Sequence, residues 1–131
     1  MLLPSLLPSS FASSYNTDMF QYTAKILTVY DGDTCRADID LGFGVTMRNQ
    51  AFRVHGIDCP EMTSEAGKDA RDHARTILTS GLIVRVETFK DSKEKYGRYL
   101  AKITLPDNTD YASAMVAAGH AKPYFGGTRE P

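Results

Sequence analysis

The chain contains no tryptophan and only two cysteines, Cys35 and Cys59, among its 131 residues. Two cysteines are too few to staple a small fold and lack the paired spacing of a zinc ribbon, so neither a disulfide scaffold nor a thiolate zinc site is expected. Long apolar runs are missing as well. Nothing approaches the about eighteen residues that a membrane span requires, and no membrane partner is expected. Charge of one sign is not in excess: 15 basic residues face 16 acidic ones, for a formal net charge of −1. Such a chain has no bulk field with which to coat a polyanion, so any contact with nucleic acid must be local. The three histidines, His55, His73 and His120, show no metal-ligand spacing, and none is assigned a catalytic part.

What is present suits one compact domain, with 42% hydrophobic and 24% charged residues. At this length a single core must carry any site. The first eighteen residues, MLLPSLLPSSFASSYNTD, have no Lys or Arg, and Pro4 and Pro8 interrupt the leucines. Residues 1–18 are read as a disordered extension, or as an upstream start with Met19 as the true beginning. A signal peptide is the lesser alternative, Ser10-Phe11-Ala12 offering only a faint cleavage site. The folded domain is then 19–131. Its compartment is left open, the cytoplasm being set slightly ahead of secretion.

From Phe20 to Tyr30, polar Gln21, Thr23 and Lys25 alternate with Tyr22, Ala24 and Ile26, the period of a half-buried strand. Asp31-Gly32 ends it in a tight turn. A second strand is expected from Thr34 to Leu41 and, after Gly42-Phe43-Gly44, a third from Val45 to about His55. Between Thr63 and Ser80 the period becomes helical: Ala66, Ala70, Ala74, Ile77 and Leu78 share a stripe that Lys68, Asp69, Asp72 and Arg75 avoid. Thr63 or Ser64 can cap its start and Gly81 its end. Further strands are expected over Leu82 to Phe89 and Tyr99 to Leu105, then a short helix from Tyr111 to Ala118 capped by Asp110. The fold class is therefore mainly β (α+β). Five strands with a helix between the third and fourth have the connectivity of an oligonucleotide/oligosaccharide-binding barrel, or OB-fold. That architecture alone does not settle function.

Reactive side chains concentrate in Asp31-Gly32-Asp33-Thr34, Phe52-Arg53, Asp58-Cys59-Pro60-Glu61 and Lys95-Tyr96-Gly97-Arg98. Each has a commonplace reading: a hairpin turn, a strand arginine, a helix start and a solvated loop. Together they form the pattern VYDGDT, FRVHGIDCPE, EKYGRYLAKI, which resembles the three signature segments of the staphylococcal (thermo)nuclease family, in the same order and with the same intervening helix. The resemblance runs from about Tyr22 to Tyr124, and the first segment reads like small phage-type members.

The chemistry asked of such a family explains these residue types. A phosphodiester repels hydroxide and gathers charge in its transition state, so cleavage calls for cationic neutralisation and a positioned nucleophile. The resemblance implies a calcium-dependent nuclease, with magnesium or manganese as alternative cations. It makes Asp33 and Asp58 the carboxylate ligands, with the backbone carbonyl of Cys59 beside them and Asp31 holding water around the metal. It implies Glu61 as general base and Arg53 and Arg98 as the phosphate clamp. A planar guanidinium can make two parallel hydrogen bonds, which a lysine cannot. Lys95 and Tyr96 are implied contacts to a further phosphate, and Tyr124, with Phe125 beside it, is a candidate for stacking. Six basic residues against three acidic ones between Arg85 and Lys102 offer a local landing surface. DNA, RNA or both would be cut with little sequence preference and with 3′-phosphate products, by a monomer.

The alternative reading is an OB-fold module that binds nucleic acid or peptide without cutting. A decayed module should lack some of Asp33, Arg53, Asp58, Glu61 and Arg98, and all five are present. The pattern departs from the family in a short segment, MTSEAG, between Glu61 and the helix, and in having no room before Pro131 for a third, C-terminal helix. Cys35 is read as a small core residue, and Cys59 as a thiol open to oxidation.

Overall fold

A computed structural model describes residues 19–93 and 97–124. Strand β1, Met19–Asp31, carries its apolar residues inward, and Ala24 and Ile26 are buried. A register irregularity between Ile26 and Thr28 then moves the inward face to Val29. One extra residue in a strand shifts every later side chain to the other face, as a bulge does. Strand β2, Thr34–Gly42, buries Cys35, Ala37 and Ile39 in alternation. It turns through Gly42, Phe43 and Gly44, all at positive φ (80°, 56° and 77°), into β3, Val45–Val54. The glycines take that conformation freely, whereas Phe43 adopts it with its ring wholly exposed.

The third strand ends close to the expected His55, and a short strand that the sequence did not suggest comes after it. Gly56 at φ 92° breaks the chain direction after His55, and a short strand β4, Gly56–Asp58, follows. Helix α1, Glu65–Ile77, comes next, then β5, Ile83–Lys93, β6, Tyr99–Thr104, helix α2, Tyr111–Ala117, and β7, Lys122–Tyr124. Five strands close into a barrel in the order β1-β2-β3-β6-β5, with β3 and β6 parallel and the other pairs antiparallel. This is the mainly β, OB-type barrel expected from the periodicity, with α1 between its third and fourth strands in chain order. The unexpected addition is a two-stranded sheet of β4 and β7.

Ser64, not Thr63, caps α1, its hydroxyl accepting from the Gly67 amide at 3.0 Å. The buried face is Gly67, Ala70 and Ala74, and Ala66 is exposed. Gly67 replaces Ala66 in the stripe because a Cβ there would collide with the Glu61 carbonyl. The helix stops at Leu78, with four residues between it and β5, and Gly81 serves the following turn by donating to the Ile26 carbonyl at 2.7 Å. Asp110 caps α2 through the Ser113 amide at 3.1 Å, as the sequence suggested. Phe52, Val54, Val86, Ala101 and Ile103 fill the barrel, and Ile57, Tyr111 and Met115 continue its core.

Candidate functional site

Three short segments meet at one end of the barrel: the β1–β2 turn, the end of β3, and β4 with the loop that follows it. Strand pairing puts Thr34 opposite Arg53, and the Val54 amide donates to the Asp33 carbonyl at 2.9 Å. The turn is drawn tight because the Asp33 amide donates to Asp31 Oδ1 at 3.1 Å. It is also pinned from beneath. The buried Tyr111 hydroxyl donates to the Gly32 carbonyl at 2.6 Å, and a side chain at Gly32 would strike Cys59 Sγ. Burial pushes the Tyr111 phenol far above its ordinary range, so it stays a neutral donor.

Arg53 lies between two carboxylates. Its NH1 is 3.5 Å from Asp33 Oδ2 and its NH2 is 3.6 Å from Asp58 Oδ1, with the three side chains 15%, 11% and 11% exposed. NH1 also donates to the Val54 carbonyl at 2.7 Å, which fixes the guanidinium to its own strand. Asp33 Oδ2 accepts from the Cys59 amide at 3.0 Å, tying the two acidic segments together across 26 residues of sequence. Asp31 stands beside them. Burial, then the hydrogen bond and the charge of Asp33, push its carboxyl up to about 6.

The structure thus brings Asp31, Asp33, Arg53, Asp58 and Cys59 together. Arg98 reaches the group through Thr34, NH1 donating to Oγ1 at 3.3 Å. Glu61 is exposed, three positions beyond Asp58, and its backbone is held firmly: its carbonyl accepts from the Ser64 amide at 3.0 Å and the Ser64 hydroxyl at 2.7 Å. Tyr124 lies on β7 opposite Gly56, while Lys122 is the residue opposite Asp58. Lys95, Tyr96 and Phe125 fall outside the described residues. Cys59 is 7% exposed, and burial followed by the charges of Asp33 and Asp31 pushes its thiol up to about 12, so it is not the oxidation-prone group expected. Cys35 is the buried core residue anticipated.

Sequence reasoning missed Tyr111, Gly32 and Gly67 as supports of this site. A signal existed for Tyr111, because a tyrosine on the inner face of a capped helix needs a partner for its hydroxyl. A cleft of about 650 Å³ lined by His55, Ile57, Phe89 and Val116 lies elsewhere and includes none of the expected site residues.

The donor set is one of hard oxygens, which suits calcium or magnesium rather than zinc. Among the described residues no group of three or more His, Cys, Asp or Glu side chains is placed to hold a metal ion. The crowding of Asp31 on Asp33 nonetheless marks a place where added positive charge relieves repulsion. In donor chemistry the carboxylates of Asp31, Asp33 and Asp58 are of the kind that a hard cation with water in its shell would take.

Comparison with known proteins agrees with the arrangement of segments. The profile of the family described as staphylococcal nuclease homologue matches residues 51–130. A protein named thermonuclease from Staphylococcus hyicus is 34% identical over 101 residues, 72% of this chain and 56% of that protein. An uncharacterized endonuclease of Escherichia coli is 30% identical over 102 residues, 76% of this chain and 60% of its own length. Endonuclease YhcR of Bacillus subtilis is 24% identical over 111 residues, 80% of this chain but 9% of the relative. This chain therefore spans little more than half of the first two and a small part of the third. With a family match over most of its length, a relative at this identity and a closed barrel of the expected connectivity, the chain belongs to the staphylococcal nuclease homologue family.

Proposed function

We propose that this chain is a metal-dependent nuclease that hydrolyses phosphodiester bonds of DNA, RNA or both with little sequence preference. The observation that carries the reading is the buried grouping in which Arg53 lies within 3.6 Å of both Asp33 and Asp58 at the barrel end. An arginine so placed is oriented before substrate arrives, and preorganised charge is the largest single source of catalysis for such reactions.

In this reading Asp33, Asp58 and the Cys59 carbonyl hold a divalent cation, calcium first with magnesium or manganese as alternatives, and Asp31 orders water beside them. When bound, the cation supplies positive charge against the phosphate and the attacking water. Arg53 and Arg98 bind the phosphate oxygens through paired N–H donors and meet the charge that grows there. Glu61, exposed three positions beyond Asp58, takes the proton of the attacking water. Lys95, Tyr96 and Tyr124 contact the rest of the substrate. None of these groups reads a base edge, which is why sequence preference should be slight. A monomer suffices, and 3′-phosphate products follow if the family's cleavage sense is kept.

The test is cleavage of single- and double-stranded DNA and RNA by the purified chain with calcium, magnesium, manganese or chelator, alongside Glu61→Gln. Cutting should require a cation and fall about a hundredfold or more in the variant, the usual weight of a general base. Failure to cut with every cation, or equal cutting by Glu61→Gln, defeats the proposal. Binding without cutting would instead favour the OB-fold binding module.

A further inference from the structure

A second groove, of about 600 Å³, adjoins the carboxylate site, and apart from Arg98 its lining residues have none of the roles above. Thr34 and Arg98 belong to both. The groove continues along β2 and β3 and the flank of α1, where Arg36, Asn49 and Arg75 contribute, with Tyr30 at its side. None of its lining residues is acidic, and three are arginines. On a chain whose net charge is −1, this is a concentrated positive surface.

The arginines here are held in an unusual way. Arg36 donates from Nε to Asn49 Oδ1 at 2.7 Å and from NH2 to the Asn49 carbonyl at 2.9 Å. Asn49 reaches this geometry at a φ of 54°, a left-handed conformation that asparagine tolerates better than most residues. Arg75 donates from Nε and NH2 to the Val29 carbonyl at 3.2 and 3.0 Å. Neither guanidinium forms an ion pair among the described residues. The neighbouring carboxylate of Asp38 is occupied by the Asn49 amide at 2.8 Å and by Arg48 at 3.9 Å. Neutral acceptors orient Arg36 and Arg75 and leave their charge uncancelled, which is the condition for binding an anion. Tyr30, 66% exposed, adds a ring that solvent alone does not favour at a surface. Positive groove and aromatic ring together are the means by which single strands are bound without sequence readout.

We propose that this groove is a second nucleic-acid subsite, in which Arg36 and Arg75 hold the sugar–phosphate backbone beyond the phosphate clamped by Arg53 and Arg98, and Tyr30 stacks on a base. The inference rests on the nuclease reading of the adjoining site for which strand occupies it. It adds a track for the substrate on the β2–β3 face, on residues outside the three signature segments in the cases of Arg36 and Arg75.

The experiment measures binding rather than cutting. A fluorescent single strand of about twelve nucleotides, within the range an OB fold covers, is titrated by anisotropy in the Glu61→Gln background from low to physiological salt. Arg36→Gln combined with Arg75→Gln should weaken binding about tenfold. It should also flatten the plot of log affinity against log salt by about 1.4, roughly 0.7 for each lost phosphate contact on a single strand. Arg36→Lys with Arg75→Lys should keep most of the salt slope, because the charges remain while the hydrogen-bond fork is lost. Tyr30→Ala should weaken binding about tenfold with the slope unchanged, the behaviour of lost stacking. Unchanged affinity and slope in the glutamine pair would overturn the proposal. So would a lysine pair as defective as the glutamine pair, which would mark a structural role, or displacement of the strand by inorganic phosphate at equal phosphate concentration, which would mark a small-anion site. Should the glutamine pair not fold, Tyr30→Ala decides alone, and unchanged affinity there also overturns it. Salt-sensitive binding through the groove by a chain that never cuts upholds this inference and defeats the nuclease reading. Cutting by a chain whose glutamine pair binds normally does the reverse.

Discussion

Two regions of this barrel use arginine in opposite ways. At the barrel end, Arg53 is clasped by Asp33 and Asp58 and shielded from solvent, so its charge is spent within the protein. Along the β2–β3 face, Arg36 and Arg75 are clasped by carbonyl and amide oxygens, and their charge remains available. The same residue type is a structural counter-ion in one region and an open anion contact in the other. The partner, not the arginine, decides. Removing a guanidinium should therefore cost stability and chemistry in the first region, and little but affinity in the second.

The comparison breaks most visibly at Arg53. Arg53→Gln leaves the buried carboxylates of Asp33 and Asp58 without their partner, which should cost about 3 kcal/mol in urea unfolding. In the cleavage assay it should lower kcat about a hundred- to thousandfold, the weight of one lost transition-state donor. Calcium should then raise the melting temperature more in the variant than in the parent, since a bound cation becomes the only nearby counter-charge. Equal calcium shifts in both proteins would mean that Arg53 and the cation do not share the same carboxylates.

Gly67→Ala gives the next largest effect, and its sign is the informative part. In an ordinary helix interior the change stabilises by about 1 kcal/mol. Here the new methyl meets the Glu61 carbonyl, so the helix start must shift at a cost of about 1–3 kcal/mol. Glu61 should move with it and kcat should fall, whereas Ala66→Gly on the exposed side should cost only the ordinary helix penalty and leave kcat alone. A stabilised Gly67→Ala protein would show that α1 does not bear on the Glu61 segment.

Tyr111→Phe should follow, with a loss of about 1–2 kcal/mol for the Gly32 carbonyl left buried without that hydroxyl. Because Gly32 sits between Asp31 and Asp33, the variant should also require more cation for half-maximal cleavage. A stability loss with unchanged cation requirement would confine Tyr111 to the core.

These supports explain how far the sequence could be read. Barrel strands were legible because one face of each is buried and the period of two is plain in Ala24, Ile26, Cys35 and Ala37. The short strand β4 was not, since Gly56 to Asp58 is too brief to show a period and a glycine in a strand has several meanings. Strand β7 escaped notice because three residues around Pro123 make no pattern without β4 beside them. At the site, Asp31, Asp33, Arg53, Asp58 and Glu61 were legible as motif residues. Tyr111 and Gly32 meet across 79 positions, a contact no local pattern encodes. Arg75 shows in the sequence only as a residue off the apolar stripe of α1, and nothing in the pattern of β2 singles out Arg36. Their shared groove exists only once the barrel closes and α1 packs against β1.

The smallest effect belongs to Arg75, and it sharpens the contrast with Arg53 most directly. Arg75→Gln gives up two hydrogen bonds to the Val29 carbonyl from an exposed side chain, and a neutral bond of this kind contributes about 1 kcal/mol or less. No buried charge loses a partner, so urea unfolding should change by no more than that, and calcium should shift the melting temperature as in the parent. Cleavage of a long strand should nevertheless become less sensitive to salt, because one phosphate contact and its released counterion are gone. A loss of stability comparable to that of Arg53→Gln would place Arg75 among the structural arginines and erase the distinction between the two regions.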